Sequence, residues 1–181
     1  MISSDQKSLK EMVIYILNKT KGLDYYRIFK VLYFAEMEHL ATWGARMIED
    51  DFCALPHGPV PTQLYNAVKE LDAPKSDLAV LLSEDVEIAG LDAPNVLLAK
   101  READMSRISL ACKEALDKSI EENVALSFFA LRRKSHDKAW EAAFNSVDKR
   151  MSLTEIAKVK GIDECTLAYL KQQLEIQATL A

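Results

Sequence analysis

The sequence is poor in the residues that interrupt regular structure and in those that bind cofactors. It has five glycines, five prolines, three cysteines and three histidines among 181 residues. So few glycines and prolines argue against long disordered segments. Gly44, Gly58 and Gly161 each stand alone, so no glycine-rich phosphate-binding loop can be drawn. The kinase, P-loop and dinucleotide-binding classes therefore have no support.

The three cysteines, at positions 53, 112 and 165, form no close pair, and their number is odd. A disulfide framework usually has an even number at short spacing, so we expect a reducing compartment. Residues 1–7 contain no basic region followed by an apolar run and do not resemble a signal peptide. No apolar run approaches the roughly 20 residues that span a bilayer. These absences predict a cytoplasmic protein with no membrane partner.

An excess of basic charge is also missing. The chain carries 28 acidic and 23 basic residues, a formal net charge of −5. This charge excludes a general attraction to nucleic acid or anionic membranes, although a local basic patch stays possible. The length and a hydrophobic content of 49% suit one domain with a substantial core. We predict a single domain over residues 1–181, with residues 151–181 as a C-terminal helical pair and candidate subdomain.

One aromatic and aliphatic stretch, Tyr25–Trp43, dominates what the sequence does contain. Its apolar residues recur with the 3.6-residue period of a helix, and others fill most of the remaining circumference. A helix that is apolar nearly all round belongs inside a core. The stretch therefore predicts a buried central helix. Its few polar residues need partners where they are buried, and Glu36 and His39, three apart, can meet on one face.

The residues that follow predict a small sheet. We expect a strand over 50–55, a sharp turn at Gly58, and a helix entered through proline at its first turn. Residues 85–89 and 95–99 flank a turn and predict a hairpin that pairs with the strand at 50–55. Residues 78–82 are also compatible with a helix. The resulting fold class is α+β and predominantly α-helical, with about seven or eight helices and a small antiparallel sheet of about three strands.

Capping signals place several helix ends. The pairs Ser3/Gln6 and Ser152/Glu155 have the spacing of capping boxes. We expect Gly161 to end one helix and Asp163 to cap the next. We further predict a helix over 123–134 and a short helix that is capped by Ser135 and carries Trp140.

No candidate catalytic or metal site has the spacing that its chemistry needs. The possible ligands His39, Cys53, His57 and His136 match no zinc motif. Cys53 with His57 could form a nucleophile and base, but no flanking residue signals a lowered thiol pKa. Ser135, His136 and Asp137 are consecutive and point in different directions, so they cannot form a triad by themselves. We therefore expect no catalytic, metal-binding or cofactor-binding residues and no enzymatic activity.

The C-terminal helices provide an alternative. Residues 156–170 resemble a helix-turn-helix, in which the second helix would enter a major groove. The outward residues of that helix would be Glu164, Thr166, Lys171 and Gln172. They include no arginine, and Glu164 would face phosphate. A DNA-binding transcriptional regulator is thus the alternative to a protein-binding module.

Two groups of residues resemble the signatures of the Panacea domain family. They are Lys30, Tyr33, Phe34, Glu36, His39, Gly44, Asp50, His57, Gly58, Pro59 and Val60 in the first group, and Ser135, His136 and Trp140 in the second. The family contains bacterial SocA-like antitoxins and phage-associated GepA-type proteins.

The resemblance implies that these signature residues are scaffold, and that the chain is an antitoxin. Such a protein neutralises a cognate toxin, encoded nearby, by binding it. For SocA-like members the family picture is a proteolytic adaptor that delivers the toxin to the ClpXP protease. The partners implied are therefore a cognate toxin and the ClpXP protease, with DNA as the alternative.

Overall fold

The computed structural model describes residues 2–180, and these form nine α-helices and five short strands. The helices are α1 (Ser4–Thr20), α2 (Tyr25–Trp43), α3 (Thr62–Lys69), α4 (Asp77–Asp85), α5 (Leu110–Asn123), α6 (Phe128–Ser135), α7 (Lys138–Phe144), α8 (Leu153–Lys160) and α9 (Glu164–Leu180). The strands are β1 (Leu23–Asp24), β2 (Phe52–Leu55), β3 (Gly58–Pro61), β4 (Val86–Ile88) and β5 (Val96–Ala99). The predominantly helical class with a small antiparallel sheet is confirmed. The number of helices in residues 2–180 exceeds the prediction by at least one, and α4 occupies the stretch that was also compatible with a helix.

Helix α2 is the centre of the fold, as its apolar pattern predicts. Its residues between Ile28 and Leu40 are buried except for Phe34 and Glu38, and α5, α8, α9 and β3 pack around it. Asp24 caps its first turn by accepting from the Arg27 N–H at 3.0 Å. Gly44 ends it in the left-handed conformation, with φ of 60°.

The prediction that the strand at 50–55 pairs with the later hairpin is wrong. Strands β4 and β5 do form a hairpin, but its third strand is β1, in the order β1-β5-β4. Strand β2 pairs with β3, in register from Phe52 opposite Pro61 to Leu55 opposite Gly58. The other edge of β2 is occupied, because the Ala54 N–H donates to Lys149 O at 2.8 Å and Phe52 O accepts from the Met151 N–H at 2.9 Å. No edge of β2 is left for the hairpin.

Three local expectations about helix ends also need correction. Pro59 and Pro61 lie in β3, and α3 begins only at Thr62. The predicted helix over 123–134 is interrupted, because α5 ends at Asn123 and Ser127 caps a separate α6. Ser135 is the last residue of α6 and caps nothing after it. The cap of the helix that carries Trp140 is Asp137.

The remaining capping residues are confirmed, although the capping box predicted for Ser152/Glu155 forms only one of its two bonds, because the Glu155 side chain pairs with Lys158. Both bonds of the Ser3/Gln6 capping box are present, and Ser152 accepts from the Glu155 N–H. Gly161 ends α8 with φ of 91°, and Asp163 accepts from the Thr166 N–H at 3.0 Å. None of the helices in residues 2–180 combines the length and hydropathy that spanning a bilayer requires.

Candidate functional site

Lys30 of α2 holds the β2–β3 hairpin against the helix. Its side chain is fully buried, and Nζ donates to Pro59 O at 2.6 Å and lies 4.7 Å from the Tyr26 ring centroid. No carboxylate of residues 2–180 is within ion-pair distance of it. Because burial disfavours the charged form, it lowers the pKa of Lys30 to about 7.

Glu36 and His39 hold the segment that follows Gly44. Glu36 Oε2 accepts from the Met47 N–H at 2.8 Å and from the Ile48 N–H at 3.0 Å, and His39 Nδ1 lies 2.8 Å from Ala45 O. Both side chains are buried on one face of α2, as their spacing indicates. Burial raises the pKa of Glu36 to about 7, although the two backbone bonds and the nearby His39 act in the opposite direction.

Asp50 supplies the cap that α3 lacks in its own sequence. Pro61, at the N-cap position, makes no side-chain cap bond. The Asp50 carboxylate accepts instead from the Gln63 N–H at 3.0 Å and the Leu64 N–H at 2.9 Å. A buried carboxylate thus satisfies orphan donors of the first turn.

Tyr33 and Trp140 make the hydrogen bonds that connect the region of the second signature to α2 and β2. The Tyr33 hydroxyl donates to Asp137 Oδ2 at 2.7 Å, and the Trp140 indole N–H donates to Leu55 O at 2.9 Å. The His136 ring stacks on Trp140 with ring centroids 3.7 Å apart. These contacts join α7 to both α2 and β2.

Gly58 is required where the two signatures meet. Its φ is 103°, and a Cβ there would lie 2.9 Å from Lys30 Cε and would also collide with Ser135 Oγ. Its neighbour Val60 is buried in β3, and Phe34 lies half-buried under the Lys134 ammonium at 4.6 Å. The signature residues other than His57 are thus buried or half-buried. Most of their polar groups bond to other parts of the chain, whereas Glu36 Oε1 and His136 Nε2 are buried without a hydrogen-bond partner among the described residues.

The candidate nucleophiles and metal ligands do not come together to form a catalytic or metal site in the described part of the chain. Burial raises the pKa of the Cys53 thiol, the opposite of what a nucleophilic cysteine needs. Ser135 Oγ donates to Arg132 O, while His136 stacks on Trp140 and Asp137 bonds Tyr33. In the described part of the chain, no group of three or more His, Cys, Asp or Glu side chains is placed to hold a metal ion.

The helices α8 and α9 of the C-terminal pair contact each other and pack on α2. Ile156 and Ala157 of α8 and Leu170 of α9 are buried. Of the predicted outward residues, Glu164, Lys171 and Gln172 are exposed, and Thr166 is half-buried with its hydroxyl bonded to Asp163 at 2.6 Å. The basic side chains of α8 are already engaged, Lys158 with Glu155 and Lys160 with Glu38.

A groove that the sequence did not predict lies beside the signature residues. It consists of two depressions, one of about 280 Å³ that is lined by the turn at Pro56 and His57 and one of about 400 Å³ that is lined by Phe129, Arg132, Arg133 and His136. We call it the basic aromatic groove. It is formed by Tyr25, Tyr26, Lys30, His57, Tyr65, Lys69, Phe129, Arg132, Arg133 and His136, with Phe128 between the two parts. The available signal was the run Phe-Phe-Ala-Leu-Arg-Arg directly before the second signature, which periodicity alone explains as an ordinary helix.

These features define a domain whose signature residues brace a helix-centred scaffold. The family model described as antitoxin SocA-like, Panacea domain matches residues 28–141, which contain both signatures. The match covers more than half of the chain, so the chain belongs to the SocA-like antitoxin family with the Panacea domain. No curated protein and no solved structure matches the chain.

Proposed function

We propose that this chain is a cytoplasmic, non-enzymatic antitoxin that neutralises a cognate toxin by binding it. The observation that carries the proposal is the family match over residues 28–141, within which Lys30, Tyr33 and Glu36 each bond to other parts of the chain. A binding module needs a rigid fold and one complementary surface patch, and no catalytic group. The braced hairpin and α2 supply that rigidity.

The proposal is tested by co-expression with the protein encoded by the neighbouring open reading frame. We expect that protein to arrest growth when it is expressed alone, and the chain to restore growth and to co-purify with it. The control variant is Gly58→Val, which places side-chain atoms against Lys30 and Ser135 and should disrupt the scaffold. Persistent arrest together with failure to co-purify would contradict the proposal.

Neutralisation by a proteolytic adaptor is the more specific form of this function, and it is implied by the resemblance to SocA-like members. An adaptor would shorten the lifetime of the toxin in cells that contain ClpXP. We expect the toxin to accumulate, and growth arrest to return, when ClpX is depleted. Unchanged toxin levels and continued rescue without ClpX would show that binding alone is sufficient.

A binding measurement on the chain's own promoter distinguishes the alternative, a DNA-binding regulator, from the antitoxin. The helix pair α8–α9 has the required order of helix, turn and helix, but its α8 lysines are paired with carboxylates. Salt-dependent promoter binding that is lost in Lys171→Ala would favour the regulator. Growth rescue by the same variant would show that the antitoxin function does not use that helix.

A further inference from the structure

The basic aromatic groove has a charge opposite to that of the whole chain. None of the described residues that line its two depressions is acidic, whereas Lys69, Arg132 and Arg133 all line them. The chain as a whole carries −5. A concentrated charge of one sign attracts and orients a partner of the other sign.

The cations of the groove are not neutralised from within the described chain. Arg133 is exposed and has no ion-pair or hydrogen-bond partner among residues 2–180. Arg132 Nε is buried without a partner, and its Nη2 reaches Pro56 O only at 3.4 Å. The carboxylate beside Tyr25, that of Asp24, is paired with Arg27 at 2.8 Å. The positive field is therefore available to a partner.

The groove also offers exposed aromatic surface. Phe129 is 72% exposed and Phe128 38% exposed. The Phe128 ring lies 4.7 Å from the Tyr26 ring, 5.7 Å from His57 and 5.6 Å from Phe129, centroid to centroid. Aromatic side chains beside arginine are the commonest energetic centres of protein interfaces.

The unpaired cations and exposed aromatic rings of the groove favour a polypeptide over a nucleic acid as its partner. Single-stranded nucleic acid is bound by stacking successive bases on several aromatic rings, whereas Phe128 is surrounded by Tyr26, His57 and Phe129 and only Phe129 is largely exposed. A phosphate backbone would also be repelled by the formal net charge of −5 that the chain carries.

We propose that the basic aromatic groove binds an acidic segment of the toxin that carries an aromatic or aliphatic side chain. The inference rests on the proposed antitoxin function and deepens it by naming the surface and the chemistry of the partner. The apolar side chain of the segment lies beside Phe128 and Phe129. Its carboxylates pair with Arg132 and Arg133.

The test is isothermal titration calorimetry of the purified chain with the protein from the neighbouring open reading frame. The groove variants are Arg133→Glu and Phe129→Ser, because both side chains are exposed and support no described hydrogen bond. The matched controls are Lys171→Glu and Ile176→Ser on α9, where the side chains are exposed as well. We expect each groove variant to weaken binding by about tenfold or more, and the controls to stay within about twofold.

The electrostatic part of toxin binding is tested by varying the salt concentration and by a variant that only neutralises Arg133. Wild-type affinity should fall as salt increases, and the decrease should be smaller in Arg133→Gln, which removes the charge without reversing it. Thermal unfolding of each variant verifies that the fold is retained.

Groove variants that bind the toxin as tightly as wild type would overturn the inference and leave the proposed function standing. A wild-type chain that does not bind at all would overturn both. Promoter DNA is the second probe. If the groove variants lose DNA binding and keep toxin binding, the groove is a nucleic-acid site and the inference is wrong.

Discussion

At the scale of single residues, Glu36 and Lys30 are two ionisable groups of α2 that burial drives towards neutrality near the same pH. The pKa of Glu36 rises from 4.5 to about 7, and that of Lys30 falls from 10.5 to about 7. Between pH 4.5 and 7 the native state holds a Glu36 proton that the unfolded chain has released, so stability falls as pH rises. Between pH 7 and 10.5 the unfolded chain holds the Lys30 proton instead, so stability increases with pH. The combined contribution of Glu36 and Lys30 to the free energy of unfolding is therefore smallest near neutral pH.

The Glu36 contribution is tested by Glu36→Gln, which keeps an oxygen to accept the Met47 N–H but cannot ionise. We expect the free energy of unfolding of wild type, relative to the variant, to fall by roughly 3 kcal/mol between pH 4.5 and 7.5. Urea unfolding at a series of pH values measures the difference. The exposed Glu164→Gln is the control and should follow wild type. Parallel profiles for wild type and Glu36→Gln would show that the carboxyl is not held neutral.

The Lys30 contribution is tested by Lys30→Met, which removes the buried charge and also its bond to Pro59 O. Wild-type stability relative to the variant should increase by roughly 4 kcal/mol between pH 7 and 10.5. In this range Lys30, which the variant lacks, is protonated in the unfolded chain and neutral in the native state. The same urea series, extended to alkaline pH, provides the measurement. Lys171→Met on the exposed part of α9 should show no such increase. A constant difference between wild type and Lys30→Met would mean that Lys30 remains charged in the native state.

At the scale of elements, Gly44 connects the end of α2 to α9. A Cβ at Gly44 would lie 2.9 Å from Thr166 O and 3.0 Å from Tyr169 Cδ1. Gly44→Ala should therefore destabilise the protein by roughly 3 kcal/mol, of which about 1–2 kcal/mol is the cost of the left-handed conformation itself. Denaturant unfolding measures the total, and amide hydrogen exchange should show the loss of protection in α9.

The matched control is Gly161→Ala, at the end of α8. This glycine also has a positive φ, of 91°, but a Cβ would meet nothing within 4 Å. We expect the control to lose only the conformational part, about 1–2 kcal/mol, with α9 still protected. Equal losses in the two variants would contradict the idea that close packing of α9 on Gly44 stabilises the fold.

Elements set by local interactions could be predicted from the sequence, whereas those set by distant residues could not. Helix α2 and the caps at Ser3, Ser152 and Asp163 were predictable because periodicity and capping act within a few residues. Ser135 and Asp137 are both good caps, and the choice between them depends on the distant Tyr33, which bonds Asp137. The pairing of β2 was missed for the same reason, since its second edge bonds to residues 149–151, far away in the sequence.

The candidate site was harder to predict than the fold. The signature residues could be recognised one by one, but the basic aromatic groove is assembled from α2, the β2–β3 turn, α3 and α6. Arg132 and Arg133 have an ordinary explanation as the basic end of a helix. Only tertiary packing reveals that Arg132 lies beside the turn at Pro56 and that neither arginine forms an ion pair within residues 2–180.

At the scale of the whole molecule, the C-terminal pair is tied to the body by several kinds of contact. Residues 149 and 151 hydrogen bond to β2, Ile156 and Ala157 are buried, and α9 covers Gly44. A subdomain would instead need its own core and few contacts across its boundary. The contacts favour one cooperative unit over a separable residue 151–181 segment.

This cooperativity is tested with the two tryptophans as local probes. Trp43 lies beside Gly44, where α9 docks, and Trp140 bonds Leu55 in β2. In Trp140→Phe and Trp43→Phe, the fluorescence of the remaining tryptophan reports one region at a time. Within each variant we expect the fluorescence and far-ultraviolet circular dichroism transitions to coincide, with equal calorimetric and van 't Hoff enthalpies. If Trp43 reports an earlier transition than the circular dichroism in Trp140→Phe, the C-terminal pair unfolds separately, because release of α9 would change the surroundings of Trp43 while β2 and the core remain folded.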